Sequence, residues 1–322
     1  MSTKWIVPEH SKEKVRKAGK SILEAEVDSD EFREAVPVFH NWRSAHAFPM
    51  QIILDLARKN AIKIDKNALA VQRLKRVPSI FNKLTREKNM SLSRMEDIAG
   101  CRVVVDSIRH VNRIHDSLQR SRTKHILHRE RNYIDKPKGS GYRGIHLIYR
   151  YNGGKPAYYG MSVELQIRSK IQHSWATAVE VVGAFTKQAL KASSGDAVWL
   201  DLFKYASVEF SKLEKCSIDP RYEGVDTFAE LDKCINEIGL FDRLAAFKVA
   251  TQSLTDRKKK QAGYFVVLLD LEERVVKHAR FDKGSLKKAT DFYDKEEERY
   301  KNDANRDVVL VSAGSLRDLR RL

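Results

Sequence analysis

One pentapeptide, Glu164-Leu165-Gln166-Ile167-Arg168, constrains this chain more than any other segment. Its polar and apolar residues alternate, and a period of two predicts a β-strand with one apolar face and one polar face. The carboxylate of Glu164, the amide of Gln166 and the guanidinium of Arg168 therefore share one face. Such a face can hold a metal ion and phosphates at once, although a strand face turned to solvent would show the same alternation.

The charge of the chain points towards phosphate-rich partners. Its 322 residues carry a net charge of +17, with a pI near 9.7, and a basic surface of this size attracts polyanions. A generically basic protein is the alternative. The three cysteines share no close spacing that would indicate a zinc site or a disulfide framework. No segment has the pattern of a signal peptide or a membrane span, so we expect a cytoplasmic protein without membrane contact.

Pattern and punctuation divide the chain into two α+β units. In the first unit, residues 1–217, we expect helices over residues 31–62, 67–89, 108–120, 170–190 and 195–214, and strands over residues 100–106, 145–151 and 162–168. The Gly-rich turn between the last two strands predicts an antiparallel pair. Residues 218–262 are mostly polar and predict a helical linker. The order β-β-α-β-α over residues 263–322 predicts a second, small α+β domain.

Two further groups of residues suit the chemistry of phosphates. Lys75, Ser79 and Lys83 recur every four residues, so in a helix they would share one face, and three donors in a row suit a polyphosphate. A solvated basic helix face is the alternative. Residues 136–143, here called the glycine loop, contain two glycines that allow close approach of the backbone to a phosphate. Tyr142 in this loop can stack on a base.

A pair of carboxylates predicts a magnesium site. Asp97 stands just before the predicted buried strand that contains Arg102, and Glu164 lies on another strand. Magnesium prefers one or two carboxylates together with phosphate oxygens. We therefore expect Asp97 and Glu164 to lie close together beside a basic cleft.

Together these segments resemble the synthetase domain of the RelA/SpoT family of pyrophosphokinases. Four blocks follow the family pattern in order: Arg73-Leu74-Lys75 with Ser79-Ile80; Asp97 to Arg102; Tyr133 to Tyr142 with His146; and Glu164 to Arg168 with Gln172 to Ala176. The resemblance covers roughly residues 40–215. It departs from the pattern at Ser169, where threonine is usual.

The resemblance implies a nucleotidyltransferase-like α+β fold, with a mixed sheet flanked by helices, and transfer of the β,γ-pyrophosphate of ATP to a ribose 3′-hydroxyl. It implies that Asp97 and Glu164 bind Mg²⁺ and act in catalysis, with Glu164 also activating the hydroxyl. The residues implied to hold ATP are Arg73, Lys75, Ser79, Lys83 and Arg102. Those implied at the acceptor are Lys138, Tyr142, His146, Gln166 and Arg168.

The acceptor remains open between two classes. GDP or GTP would make the chain a (p)ppGpp synthetase, whereas the 3′ CCA end of tRNA would make it a translation-inhibiting toxin, as in toxic small synthetases that resemble it. The net charge favours tRNA, because contacts to phosphates give affinity without sequence information. A basic tract near the glycine loop favours it too, and consists of Arg120, Arg122, Lys124, Arg129 and Arg131. A catalytically inactive RNA-binding module is a third alternative, against which the intact motif residues argue.

Two other features bear on activity and its control. Residues 263–322 resemble, by architecture, the fused antitoxin of phage-defence members, whose tail closes the ATP site until a phage protein binds. Tyr264, Tyr293 and Tyr300 are candidate plugs, with ordinary core or surface aromatics as the alternative.

Long family members carry a hydrolase with a metal-binding His-Asp pair. The only such dipeptide here, His115-Asp116, falls in a predicted helix, so we expect synthesis without degradation.

Overall fold

The computed structural model describes residues 5–186, 190, 195–240, 263–270, 275–282, 284–300, 303 and 306–313. The helices are α1 (Lys12–Glu24), α2 (Asp30–Ala45), α3 (Ala47–Ile64), α4 (Val77–Arg86), α5 (Ile108–Gln119), α6 (Lys170–Thr186), α7 (Ala197–Leu213), α8 (Thr227–Ile238) and α9 (Leu286–Arg299). The strands are β1 (Leu69–Leu74), β2 (Ala99–Val105), β3 (Ile126–Asn132), β4 (Ile145–Arg150), β5 (Ser162–Ser169), β6 (Gly263–Asp270), β7 (Val275–Asp282) and β8 (Arg306–Ala313).

A five-stranded mixed sheet forms the centre of the first unit, in the order β1-β2-β5-β4-β3. Strands β2 and β5 run parallel, and the other neighbouring pairs are antiparallel. Residues on one face, including Val103, Leu165 and Ile167, are fully buried and pack with the apolar sides of α3 and α5. Helices flank a mixed sheet, so the predicted α+β class is confirmed.

The pentapeptide forms β5, as its alternation predicts. Leu165 and Ile167 lie in the core, while Glu164, Gln166 and Arg168 face the other side. Strands β4 and β5 form the predicted antiparallel pair, with Ile148 opposite Glu164. The sheet therefore has one apolar face that supplies stability and one polar face that is available for chemistry.

The prediction of one helix over residues 67–89 is wrong. Residues 69–74 form the edge strand β1, which pairs antiparallel with β2, and α4 begins only at Val77. Pairing with β2 buries Val71 and satisfies the backbone, which outweighs the helical spacing. Pro78 occupies the first turn of α4, where its missing N–H costs no hydrogen bond. Lys75 therefore lies in the turn between β1 and α4.

The second unit is a three-stranded antiparallel sheet, in the order β7-β6-β8, with α9 packed against it. Val266, Tyr293 and Val308 are the buried residues between them. Between the two units, α8 packs on α7 through Cys234 and Ile238. Residues 241–262 of the predicted linker and the predicted last helix lie outside the described residues. In the part of the chain that is described, no helix is long and apolar enough to cross a membrane.

Candidate active site

Gly100 leaves an open space on the polar face of the sheet, because it has no side chain. Arg73, Gly100 and Glu164 are neighbours in register on β1, β2 and β5. Strands lie about 4.8 Å apart, so Arg73 and Glu164 are about 10 Å apart at the backbone, across this glycine. The nearest atom to a Cβ placed on Gly100 would be the carbonyl oxygen of Arg73, at 3.4 Å. The space above Gly100 is thus bordered by a guanidinium on one side and a carboxylate on the other.

A second register brings three more of the predicted site residues together. Arg102, Gln166 and His146 are neighbours on β2, β5 and β4. Arg131 of β3 continues the same row beside His146. The row therefore links the predicted ATP residue Arg102 to the predicted acceptor residues, and it ends in the basic tract.

Two lysines hold the carboxylate of Asp97. The Nζ atoms of Lys75 and Lys83 each lie 2.9 Å from one of its oxygens. Burial by itself raises the pKa of Asp97, but the two ammonium groups together outweigh burial and lower it. Lys75 comes from the β1–α4 turn and Lys83 from α4, so the two lysines still converge although they do not share a helix face. Asp97 is ionised at neutral pH.

Neutral side chains hold the carboxylate of Glu164. One oxygen accepts a hydrogen bond from Nδ1 of His146 at 2.9 Å, and the other accepts one from the Gln166 amide at 2.7 Å. Burial alone would raise the pKa of Glu164, but these hydrogen bonds and the nearby Lys83 lower it to about 2. Glu164 therefore stays ionised. Lys83 contacts Asp97 and also lowers the pKa of Glu164, so both carboxylates lie within electrostatic range of one ammonium group.

His146 connects Glu164 to Tyr142. Burial and the nearby Arg168 and Lys138 lower the pKa of His146, despite the opposing effect of Glu164, so the imidazole is neutral at pH 7. Its Nδ1–H donates to Glu164, which leaves Nε2 to accept a hydrogen bond from the Tyr142 hydroxyl at 2.5 Å. The result is a continuous line of hydrogen bonds from Tyr142 to Glu164.

The ring of Tyr142 lies among cations and aromatic rings. The Arg168 guanidinium is 4.9 Å from the ring centroid, and it also donates to the hydroxyl at 2.8 and 3.1 Å. The Lys138 ammonium lies 5.1 Å from the same centroid and 4.4 Å from that of Tyr133. Sequence reasoning gave Tyr133 no role, although it opens the block that contains the glycine loop. These contacts fix both the position and the orientation of Tyr142.

The opposite side of the site carries an excess of positive charge. The Nε atom of Arg102 is buried without a hydrogen-bond partner among the described residues. Burial, together with Arg168 and Arg73, lowers the pKa of Arg102 to about 10 in spite of Glu180, so it remains charged at neutral pH. A buried cation that lacks a full set of partners favours an anionic ligand.

The first turn of α4 adds backbone donors to this cationic side. Ser79 lies in that turn, where the helix dipole favours anions and the Val77 N–H already donates to a carboxylate, that of Glu297, at 3.0 Å. Arg76 precedes the helix, and burial together with Arg73 lowers its pKa. Arg43 of α2 donates from Nε to the carbonyl oxygen of Lys75 at 2.8 Å, which fixes the β1–α4 turn. Sequence reasoning missed Arg43 because nothing local links α2 to this turn.

The donor set fits magnesium. Asp97 and Glu164 offer hard carboxylate oxygens, and among the described residues no cluster of three or more His, Cys, Asp and Glu side chains could hold a metal ion. In nucleotide sites, Mg²⁺ commonly binds one or two carboxylates and fills its other coordination positions with phosphate oxygens and water. Any Mg²⁺ here would therefore arrive with a polyphosphate.

Comparison with known proteins identifies the region that holds these residues. The family model described as a region found in RelA / SpoT proteins matches residues 72–184. Two proteins of Bacillus subtilis (strain 168) are similar to the chain. GTP pyrophosphokinase YjbM is 34% identical over 113 residues, 33% of this chain and 51% of that protein. GTP pyrophosphokinase YwaC is 32% identical, over 33% of this chain and 52% of that protein.

The chain therefore spans about half the length of each of these two relatives. Among solved structures, it is similar to the small alarmone synthetase 1 from Bacillus subtilis bound to its product pppGpp. The identity is 27% and the TM-score 0.40, over 46% of this chain and 74% of that one. The predicted site residues all lie between positions 72 and 184, the span that matches the family model of a region found in RelA/SpoT proteins.

Proposed function

We propose that this protein is an ATP-dependent pyrophosphokinase, which transfers the β,γ-pyrophosphate of ATP to a ribose 3′-hydroxyl. The observation that carries the proposal is the space above Gly100, with the ionised carboxylate of Glu164 on one side and Arg73 on the other, next to Arg102, whose buried Nε has no hydrogen-bond partner among the described residues. A reaction of this kind needs alignment of a hydroxyl with a phosphorus and neutralisation of charge, and little covalent help from the protein.

The residues divide the work between two sides. On the phosphate side, Arg73, Arg102 and the α4 N-terminus hold the triphosphate, and Lys75 and Lys83 turn from Asp97 towards its oxygens. Mg²⁺, held by Asp97 and Glu164, would neutralise phosphate charge and orient the chain of phosphates. On the acceptor side, Tyr142 stacks on the base.

Glu164 takes the proton of the 3′-hydroxyl. The new bond forms between this oxygen and the β-phosphorus, the bond from the β-phosphorus to the α-phosphate oxygen breaks, and AMP leaves. His146 and Gln166 hold the carboxylate of Glu164 in place for this step.

We propose the 3′ CCA end of tRNA as the acceptor. The basic tract is exposed, and its last residue, Arg131, is the register neighbour of His146, so phosphates bound along β3 would lead to the acceptor side. Arg129 is partly neutralised by Glu96 at 3.2 Å. GDP or GTP is the second candidate, because the two similar Bacillus proteins are GTP pyrophosphokinases.

Labelled ATP separates these candidates. The protein is incubated with γ-labelled ATP and with tRNA, GDP or GTP in separate reactions. Label that stays with tRNA and blocks its aminoacylation supports the proposal, whereas label only in guanosine tetra- or pentaphosphate assigns the second candidate. If tRNA binds but no acceptor gains label, the chain is an RNA-binding module without this activity.

We further propose that residues 263–322 regulate the phosphate side, as an antitoxin-like domain that a phage protein would draw away. Helix α9 supports this proposal because it lies at the start of α4. Glu297 accepts a hydrogen bond from the backbone N–H of Val77 at 3.0 Å. Arg43 donates to the Tyr293 hydroxyl at 3.2 Å and pairs with Glu297 at 3.5 Å. A carboxylate thus occupies the helix N-terminus that would otherwise bind an anion.

A substitution in the full chain tests this regulation. Glu297→Gln removes the charge that pairs with Arg43 and weakens the bond to the Val77 N–H. We therefore expect a lower KM for ATP and faster transfer. Asp291→Asn, on the exposed side of the same helix, is the matched control. Equal kinetics for both variants and the wild type would give residues 263–322 another role.

A further inference from the structure

The glycine loop rests on α7, a helix that lies beyond residues 72–184. The Ser207 hydroxyl of α7 donates to the carbonyl oxygen of Gly141 at 2.5 Å. Gly141 has a φ of +87°, and a Cβ there would lie 3.0 Å from Ser207, 3.1 Å from the Trp175 ring and 3.2 Å from the Phe203 carbonyl oxygen. Both the backbone conformation and the contact therefore require glycine. The loop is pressed directly against α6 and α7.

A buried carboxylate at the end of α7 also holds the loop. Glu214, the residue after Leu213, pairs with Arg143 of the loop at 3.3 Å, with side-chain exposures of 5% and 3%. The same carboxylate accepts hydrogen bonds from the Ser169 hydroxyl at the end of β5 and from the Gln172 amide of α6. One side chain therefore joins the glycine loop to the strand that carries Glu164.

This arrangement is unfavourable for stability by itself. A carboxylate at the C-terminal end of a helix faces the negative end of the helix dipole. Burial removes both charges of the pair from water, and two nitrogens of Arg143, Nε and Nη2, have no hydrogen-bond partner among the described residues. A pair with these costs needs an explanation other than stability. The structure suggests that it fixes the loop next to Tyr142.

We propose that Glu214 is a positioning residue for the acceptor. Through Arg143 it fixes the glycine loop, and thereby the ring of Tyr142, relative to Glu164 and His146. This inference rests on the proposed function. In the described part of the chain, the carboxylate of Glu214 bonds to Arg143, Ser169 and Gln172, none of which is among the residues of the phosphate side. Its loss therefore changes acceptor binding and leaves ATP binding alone.

The test compares two glutamates of one segment. Glu214→Gln keeps the shape and removes the charge opposite Arg143. Glu209→Gln is the matched control, since Glu209 bonds to Lys212 and Thr227, away from the loop. Initial rates are measured against acceptor at saturating ATP and against ATP at saturating acceptor, with whichever of tRNA, GDP or GTP the wild type uses. We expect the acceptor KM of Glu214→Gln to rise about tenfold, because a buried cation loses its partner, while its ATP KM stays within about twofold.

A conservative variant and a second measurement keep the proposal decidable. Arg143→Lys retains the charge opposite Glu214 but has a different shape, so we expect a smaller rise in acceptor KM. It also replaces Glu214→Gln if that variant does not fold. Hydrogen exchange of the loop amides of Lys138 and Gly141, which bond within the loop, is compared with that of α4. We expect faster exchange in the loop alone.

The outcomes separate this inference from the proposed function. If the wild type transfers pyrophosphate but the ATP and acceptor KM rise equally, or neither rises, Glu214 is not a positioning residue. If the wild type transfers to none of the three acceptors, the proposed function fails, and loop exchange alone decides the inference. Exchange in the loop that is unchanged in both Glu214→Gln and Arg143→Lys would overturn it.

Discussion

The two carboxylates of the site are held in opposite ways. Asp97 lies between the ammonium groups of Lys75 and Lys83, whereas Glu164 accepts hydrogen bonds from the neutral side chains of His146 and Gln166. On the proposed function, the lysines leave Asp97 when a triphosphate and its metal bind. Glu164 is already ionised and oriented by these two hydrogen bonds. We therefore expect the phosphate side to rearrange on binding and the acceptor side to keep its geometry.

The elements that contact the two sides also differ: one belongs to the second unit and the other to the core of the first unit. On the phosphate side, α9 of the second unit contributes Glu297, which pairs with Arg43 and the N-terminus of α4, and it is joined to the first unit by a long segment. On the acceptor side, α7 is part of the core that α6 and α8 share. An element of the second unit thus contacts the phosphate side, whereas an element of the first unit's core supports the acceptor side.

The largest expected effect is the loss of transfer in Glu164→Gln. The amide cannot take the proton of the acceptor hydroxyl, and a general base contributes about 10²–10⁴-fold to a rate. His146 can still donate to the amide oxygen of the new side chain, although the Gln166 amide then faces an NH₂ group in place of a carboxylate oxygen. Binding of a non-hydrolysable ATP analogue serves as the control, and we expect it to change little. Near-normal transfer by this variant would remove Glu164 from the catalytic role.

Asp97→Asn should separate ATP binding from transfer. We expect the activation free energy of transfer to rise by several kcal/mol, roughly the contribution of a metal ligand at a phosphoryl centre. Binding of metal-free ATP should become tighter, because Lys75 and Lys83 no longer pair with a carboxylate. Calorimetric titration in the presence of a chelator measures this, with Glu96→Gln as the neighbouring control. Weaker metal-free binding would mean that the lysines do not turn towards phosphate.

The pKa of Glu164 predicts a contribution to stability at low pH. Its folded pKa is lowered from the ordinary 4.5 to about 2. A carboxyl with a lowered pKa stabilises the fold above its unfolded pKa, and this contribution is lost as pH falls from about 4.5 to about 2. Linkage sets the full effect at about 3 kcal/mol in the free energy of unfolding, of which about 2 kcal/mol is lost between pH 6 and pH 3. Urea unfolding at pH 6 and pH 3 should show a smaller loss in Glu164→Gln than in the wild type; equal losses would contradict the low pKa.

Tyr142→Ala should affect the acceptor more than ATP. Loss of a stacked ring costs about 1–3 kcal/mol in binding of a base, and the ring lies on the acceptor side of Glu164. Tyr142→Phe is the matched control, because it keeps the ring and removes only the hydroxyl that meets His146 and Arg168. Steady-state kinetics with each substrate varied in turn gives both KM values. Equal losses for ATP and acceptor in the alanine variant would make Tyr142 a structural residue.

The sequence was most informative where the pattern is local. The alternation around Glu164 predicted β5 and its polar face, since a period of two follows directly from strand geometry. The same kind of reasoning failed at residues 69–74, where helical spacing of charged residues concealed a strand. That strand forms because β2 offers an edge to pair with, and pairing over a distance leaves no period in the sequence.

The candidate site shows the same limit. Lys75 and Lys83 were grouped because they would share a helix face, which is wrong, and their common contact with Asp97 was not predicted. Arg43 and Glu214 were missed because each reaches its partner across the fold, to Lys75 and Arg143 respectively. Motifs name residues that meet substrates, whereas supporting residues are set by packing and become visible only in the folded chain.

The nucleotide by-product tests the central claim most directly. The protein is incubated with ATP and each acceptor, and AMP and ADP are separated and counted against the acceptor consumed. Pyrophosphate transfer predicts one AMP for each modified acceptor, with no matching ADP, and no AMP from Glu164→Gln. ADP in proportion to modified acceptor would show transfer of a single phosphoryl group, and would contradict the account.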